Sequence, residues 1–576
     1  MNAPRRNDYP PRRATLACLL GVAALVLAWR AVDLQLMHKQ FLQGQGDARY
    51  LRTMTVAAHR GMITDRRGEP LAISTPVDSV WANPQLLLEA PGRHAALAKL
   101  LNLNARQLHD YLQARAEREF VYLKRRVSPD LAQQVMALNA PGVALQREYR
   151  RYYPAGEVTA QLLGFTGVDD TGQEGLELAF DNWLQGKEGA KRVIKDRLGR
   201  VIEDVESLRA PRPGRDLRLS VDKRIQYLAY RELKSALAGH RAQSGSAVVL
   251  DAHNGEVLAM VNLPAYNPNN LDEARGASLR NRAVTDSFEP GSTIKPFTIA
   301  AALEAGLYRA DTPVDTAPGF FRVGGKNIRD LHNYGRIDVA GVIQKSYNVG
   351  AARIALSLPP ERLWRTFSGA GLGQVTGSGF PGEVSGVLRP YQKWQEIERA
   401  TLAFGYGLSV TLLQLAQGYS VLANDGVLKP VSFISGAHAE PRAVLSPATA
   451  QSVRAMMERV TGEGGTALLA RVPGYRVAGK TGTVRKLTKH GYSENRYLSL
   501  FAGMAPASRP RLVMAVMINE PAGEQYYGGQ VAAPVFARVM AGALRLLNVA
   551  PDDLESLKVA GLDSSIMARA VSGDGE

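Results

Sequence analysis

The chain is organised around Phe288-Glu289-Pro290-Gly291-Ser292-Thr293-Ile294-Lys295-Pro296-Phe297. Pro290-Gly291 is a turn signal, and Thr293 to Ala305 reads as an apolar helix that stops at Gly306. Ser292 therefore sits at a helix N-terminus, and Lys295 lies one turn along on the same face. A serine hydroxyl is inert until a base takes its proton, and Lys295 is placed to be that base. Free N–H groups at the helix start favour negative charge developing near the serine oxygen. Pro296 costs one backbone donor, which the first turn tolerates. Taken alone, Ser-x-x-Lys is a weak signal that occurs by chance in many helices, and a capping serine with a solvated lysine is its commoner meaning.

Two other stretches answer it. Ser346-Tyr347-Asn348 lies in a Gly/Asn-punctuated stretch that begins or joins a helix, and Lys480-Thr481-Gly482-Thr483 lies on a strand. The order is Ser-x-x-Lys, Ser-x-Asn, Lys-Thr-Gly, on a helix start, a loop and a strand. Gly474 to Thr481 also fits the phosphate-loop expression G-x-x-x-x-G-K-T. A true phosphate loop must run from strand into helix. Here Gly482, Thr483 and Val484 follow, all poor helix formers, so the nucleotide reading is set aside.

Around these motifs the pattern is mixed. Leu217 to Val221 reads as a strand, with Asp222 capping a helix from Lys223 to Leu237. Ser246 to Asp251 and Glu256 to Val261 form a hairpin through His253-Asn254-Gly255. Helices dominate to about Ala470. Strands return over Tyr475 to Val484, Tyr497 to Met504 and Arg511 to Asn519, and a last helix covers Ala533 to Leu547. The expected fold is α+β: an antiparallel sheet with terminal helices packed on it and a helical subdomain between its strands. Tyr526 and Tyr527, before Gly528-Gly529, read equally well as a wall of a substrate cleft and as sheet-packing aromatics.

Upstream, residues 36–213 mix short strands, helices and charged loops in an extended pedestal. His59 to Ala72 reads as an extended segment with a hairpin. Pro91 to Glu117 and Pro129 to Leu138 read as helices, and Arg147 to Pro154 as a solvated basic strand edge. Arg209 to Arg215, with Pro211, Pro213 and Gly214, reads as a linker. Expected domains are a tail 1–13, an anchor 14–35, the pedestal 36–213, a catalytic domain 214–550 and a flexible tail 551–576.

The anchor follows from the first segment. Arg5, Arg6, Arg12 and Arg13 precede an apolar run from Ala14 to Trp29, which extends through Ala31-Val32 if Arg30 snorkels. No small-x-small cleavage site closes the run, so an uncleaved signal anchor is expected, with a cytoplasmic N-terminus and the remainder exported. The net charge of +16 over 576 residues invites anionic partners, but export argues against nucleic acid. Cys18, the single cysteine, lies in the apolar run, so no intramolecular disulfide is expected. With nine histidines and no His-Glu-x-x-His pair, neither metal catalysis nor a cofactor is expected.

With these residues in view, the sequence resembles the class B penicillin-binding proteins, and within them the division (septal) peptidoglycan D,D-transpeptidases. The likeness runs from the anchor through Arg60-Gly61, Asp65-Arg66-Arg67-Gly68 and Arg150-Arg151-Tyr152-Tyr153-Pro154. It continues through Tyr266-Asn267-Pro268-Asn269, the three motifs, Gly405-Tyr406-Gly407 and Gln414-Leu415-Ala416. The resemblance implies that Ser292 attacks a stem peptide at its penultimate D-Ala, expels the terminal D-Ala and passes the acyl group to a neighbouring amine. Lys295 would be the base, its pKa lowered by burial and by Lys480. Ser346 would relay a proton and Asn348 would hold Lys295 and the substrate amide. Lys480, Thr481 and Thr483 would grip the substrate carboxylate, and Gly482 would let a peptide add alongside the strand. The N–H groups of Ser292 and Thr483 would form the oxyanion hole. Implied partners are peptidoglycan stem peptides, β-lactam antibiotics, an FtsW-type membrane glycosyltransferase and other division proteins. The implied location is the inner membrane, single-pass, with a periplasmic catalytic domain.

Several rivals share parts of this pattern. A β-lactamase must also hydrolyse its acyl-enzyme, and no trustworthy Glu-x-x-x-Asn loop lies between the second and third motifs. A bifunctional enzyme would need a glycosyltransferase domain, for which residues 36–213 are too few. A β-lactam sensor, a non-catalytic division scaffold and an elongation-type transpeptidase stand as the alternatives.

Overall fold

The computed structural model describes residues 10–38, 51–195, 201–272, 274, 276–437, 440–489 and 491–559. The expected basic tail at 1–13 and the loose tail after Pro551 fall largely outside these residues. Two compact units emerge from the contacts. The first takes in residues up to His59, Thr75–Arg150 and Gly186–Pro213; the second takes in Arg60–Ser74, Arg151–Gln185 and the chain from Gly214. The sequence places one boundary at Pro213, where the chain does change unit. The other crossings are invisible in composition because two fall inside continuous strands, Pro70–Ala82 and Val143–Tyr152.

In the first unit, Pro10–Val32 is helical. Arg13–Gln35 is long and apolar enough to cross a membrane, and Leu19, Leu25 and Trp29 on it are exposed. Leu51–Val56, Gly189–Lys195 and Val201–Arg209 form a small antiparallel sheet. A separate core gathers Val80, Leu97, Leu101, Leu108, Leu112 and Val135. The single helix expected over Pro91 to Glu117 is broken into His94–Leu101 and Ala105–Gln113. Asn102 takes the left-handed conformation with φ 55°, and Asn104 accepts from the Arg106 N–H at 2.9 Å. The Asn-Leu-Asn spacing therefore stops one helix and caps the next.

In the second unit, Ile63–Thr64 pairs with the start of Pro70–Ala82, giving the expected hairpin. The basic stretch 147–154 is not a solvated edge at Arg151. That guanidinium is buried and donates to Glu177 at 2.6 Å, while buried Arg60 donates to the same carboxylate at 2.8 Å. Arg60 also reaches Asp181 at 2.7 Å. Two cations around one fully buried carboxylate are neutralised by it and by Asp181, which is the condition for such charges to sit in an interior.

The main sheet is antiparallel throughout, in the order Val257–Leu263, Ser244–Asp251, Leu512–Asn519, Gly491–Ala505, Ala478–Thr488. Lys223–His240 and Ala533–Leu546 pack together on the sheet. Phe501 meets Phe536 at 4.7 Å between ring centroids on that face. Leu412–Ala423, buried along its whole length, packs on three of the same strands. Alternation along Ala478–Thr488 assigns its residues to faces. A Cβ on Gly479 would meet the Phe501 ring, whereas a Cβ on Gly482 would meet Thr293 Cγ2 and Pro290 O. Lys480 and Gly482 therefore share the face that carries the Ser292 turn, and Thr481 and Thr483 leave on the other.

Candidate active site

Ser292 lies in a 3₁₀ turn, Gly291–Ile294, that runs directly into the helix Lys295–Glu304. Gly306 ends that segment with φ +71°, as expected. Gly291 has φ +55°, and a Cβ there would come within 2.4 Å of Val484 Cγ2, so only glycine lets the turn touch the edge strand. Gly405 presses on it from the other side: a Cβ there would fall 2.1 Å from Gly291 O. Tyr419, on the buried helix, donates to Thr293 O at 2.7 Å and locks the turn from below.

Ser346 joins the helices Val339–Gln344 and Asn348–Ser357 in a left-handed conformation, φ +60°. A serine held there is uncommon, and such residues cluster at functional sites. This kink turns its carbonyl toward Lys295. Lys295 Nζ donates to that carbonyl, to Asn348 Oδ1 at 2.8 Å and to Ser346 Oγ at 3.3 Å. The first two motifs thus meet at one amine. Ser292 is half-buried, and its Oγ forms no hydrogen bond among the described residues.

Lys295 is fully buried, which pushes its ammonium down to about 7, with the Asp330 anion opposing. Lys480 is equally buried and held well below its ordinary value, first by burial and then by the charge of Lys295. The repulsion between the two ammoniums is mutual, so Lys480 also disfavours the charged form of Lys295. Among the described residues Lys480 Nζ has only long bonds, to Thr481 O at 3.3 Å and Thr481 Oγ1 at 3.4 Å. An anion placed beside it would favour its charged form.

Thr481 Oγ1 also bonds to Thr466 Oγ1 at 2.9 Å, and Thr483 Oγ1 accepts from Gly528 N at 3.0 Å. Lys480 Nζ therefore reaches Thr481, although the two side chains start on opposite faces. Ala478–Thr488 is the last strand in the order, leaving its outer edge open among the described residues. The bare Cα of Gly482 lets Thr293 and Pro290 pack on it. Strand runs into strand through Gly482, so the phosphate-loop geometry is absent.

Tyr526 stacks between Tyr497, at 4.3 Å, and Tyr527, at 4.5 Å. Tyr527 is exposed and next to Gly528, which bonds Thr483, so this aromatic stack adjoins the third motif.

Three participants escaped sequence reading. Asp330 accepts from Asn348 N at 2.7 Å and Val349 N at 2.9 Å, capping the second-motif helix. Thr466 bonds Thr481. Glu289 accepts from Gly407 N at 2.8 Å and from Tyr492 Oη at 2.9 Å, tying the nucleophile turn to the Gly-Tyr-Gly loop and the hairpin. Each is distant in sequence from what it holds; only the position of Glu289, three residues before Ser292, hinted at a role.

Residues 245–541 match the model of the penicillin binding protein transpeptidase domain, and residues 55–219 match that of the penicillin-binding protein dimerisation domain. The chain belongs to the class B penicillin-binding proteins. Among relatives of this class B chain, the peptidoglycan D,D-transpeptidase FtsI of Escherichia coli K12 is 45% identical, over 96% of this chain and 97% of that one. Of solved structures, the transpeptidase domain of penicillin-binding protein 3 from Burkholderia pseudomallei is 45% identical with TM-score 0.54, over 58% of this chain and 97% of that one. Penicillin-binding protein 3 of Mycobacterium tuberculosis, complexed with aztreonam, is 30% identical with TM-score 0.68, over 86% of this chain and 98% of that one.

Proposed function

We propose that this class B penicillin-binding protein, a peptidoglycan D,D-transpeptidase, works through an acyl-enzyme on Ser292. The observation that carries the assignment is Lys295: a buried amine near neutrality, bonded to Ser346 and Asn348 of the second motif and opening the helix that the Ser292 turn runs into. As Ser292 Oγ attacks the carbonyl of the penultimate D-Ala, its proton passes to neutral Lys295. General-base help of this kind is worth about 10²–10⁴ in rate. The tetrahedral oxyanion is received by the N–H groups of Ser292 and Thr483, each worth roughly 10²–10³. The C–N bond then breaks, and the proton returns through Ser346 Oγ to the departing D-Ala amine. A stem-peptide amine next attacks the ester and loses a proton to Lys295, and as the C–O bond breaks Lys295 returns that proton to Ser292 Oγ, restoring the free serine and the neutral amine. Lys480, with Thr481 and Thr483, binds the donor's terminal carboxylate, and the open edge of the strand accepts its backbone.

β-Lactams acylate the same serine in this reading. Two carboxylates bond to elements of the site, and neither suits a deacylation base. Both oxygens of Asp330 accept helix N–H groups, and Glu289 is held by Gly407 and Tyr492. That supports transfer over hydrolysis. We assign the chain to the septal cell wall, anchored in the inner membrane by Arg13–Gln35 with the catalytic unit in the periplasm, and working beside an FtsW-type glycosyltransferase. A fluorescent penicillin should label the wild type and not Ser292→Ala; equal labelling of both would reject the nucleophile.

A further inference from the structure

The helix Asn348–Ser357 begins without a side-chain cap of its own: Tyr347 stands at its N-cap position and supplies no bond. A helix start leaves N–H groups that need acceptors, and here the acceptor comes from elsewhere in the chain. Asp330 follows the hairpin Phe320–Val323/Lys326–Arg329, whose Val323 and Ile328 are buried. Its own N–H donates to Gly319 O at 2.9 Å, which fixes the residue. Each carboxylate oxygen takes one helix N–H, Oδ1 from Asn348 and Oδ2 from Val349. Neither oxygen is bonded to Lys295.

We infer that Asp330 is a positioning residue for the transpeptidation site: by gripping the peptide units of Asn348 and Val349 it aims Asn348 Oδ1 at Lys295 Nζ. The inference rests on Lys295 being the base proposed above. The arrangement has two consequences. The first is geometric. An acceptor 2.8 Å from the amine is set by a backbone that Asp330 holds, so loss of the grip lets Asn348 drift, and a misplacement of about 1 Å costs roughly 10²-fold. The second is electrostatic. The charged groups that act on Lys295 are the Asp330 anion, which favours the ammonium, and the Lys480 ammonium on the edge strand, which lies close enough to feel Lys295; Ser346 and Asn348 are neutral. Burial raises the Asp330 carboxyl, while the two N–H bonds and Lys295 pull it down. Asp330 therefore trades some free base for a rigid site.

Full-length protein in detergent, the Ser292→Ala protein, and the Asp330→Asn and Asp330→Glu variants should be incubated with a fluorescent penicillin across the acid range. Asparagine keeps the shape of the residue, but it removes the charge and offers one acceptor where there were two. Asp330→Asn is expected to acylate about 10²-fold more slowly. The midpoint of its acid limb should move to lower pH, because the anion that holds Lys295 charged is gone. Asp330→Glu, which keeps the charge, should hold the wild-type midpoint even where its rate falls. An Asp330→Asn rate within about twofold of wild type, or an unmoved midpoint, overturns the inference. So does an Asp330→Glu midpoint that shifts downward, and that reading stands if Asp330→Asn does not fold. Failure of the underlying assignment looks different: wild type and Ser292→Ala would then label alike.

Discussion

Lys295 Nζ donates to Asn348 Oδ1 at 2.8 Å, joining two motifs that lie 53 residues apart in the chain. That bond lets a fully buried amine exist without a carboxylate partner. Its acceptors are neutral, so nothing bonded to it demands the charged form.

Burial of Lys295 has a stability cost that depends on pH. Its folded pKa, about 7, lies below its ordinary 10.5. Between these values the unfolded chain binds more protons, so stability rises with pH across that window. Below about 7 both states are protonated, and the native state carries the full cost of a buried charge. Lys295→Met should therefore melt higher than wild type at pH about 6, with a gain that shrinks toward pH about 10, while losing acylation. Thermal melts of both proteins over that range check the sign; a gain that grows with pH would contradict it.

Gly405 and Gly482 pack against the nucleophile turn by direct backbone approach. Gly405→Ala would force a Cβ to 2.1 Å from Gly291 O, a clash with backbone that no rotamer relieves. A Cβ on Gly482 would meet Thr293 Cγ2 at 3.0 Å and Leu500 Cβ at 3.1 Å, which a small shift relieves. Gly405→Ala should lose stability by roughly 1–3 kcal/mol together with acylation. Gly482→Ala should stay folded and acylate more slowly. Denaturant midpoints set beside acylation rates test the contrast.

Glu177 holds Arg60 and Arg151 in the interior. Glu177→Gln removes the shared charge and leaves two buried guanidiniums short of a partner. The expected loss is about 3–5 kcal/mol, with no direct effect on the chemistry. Equilibrium unfolding measures the loss. Acylation per folded molecule should be unchanged.

Tyr527 is 45% exposed at the end of the tyrosine stack. If the stack walls the cleft, Tyr527→Ala should weaken the initial β-lactam complex by about 0.5–1.5 kcal/mol and leave the acylation step alone. Separating the binding and chemical constants by stopped flow decides this. Loss confined to thermal stability would make the stack a packing feature.

The site was legible where function writes short motifs on regular elements. Ser292 at a helix start, Ser346 between helices and Lys480 on a strand all lie on the elements their flanking residues predict. The sheet strands followed from alternation, but both arms of the last hairpin run further toward its tip than expected: Ala478–Thr488 passes Val484 and Gly491–Ala505 starts before Tyr497, where Arg485, Lys486, Glu494 and Arg496 mask the apolar pattern. What stayed hidden depends on partners distant in sequence. Arg151 reads as solvated because Glu177 is 26 residues away. Asp330 reads as a loop carboxylate because the helix it caps starts 18 residues later. The break at Asn102 was legible in principle, since asparagine tolerates the left-handed conformation, but the apolar spacing on either side outweighed it.

In the proposed mechanism Ser292 is acylated because Lys295 is neutral near physiological pH. Intact-mass spectrometry with peptide mapping, on full-length protein treated with a penicillin at pH about 5.5 and about 8, tests it most directly. The account predicts a single covalent adduct on the peptide holding Ser292, formed faster at the higher pH. An adduct on another residue, or a rate that is the same at both values, would contradict it.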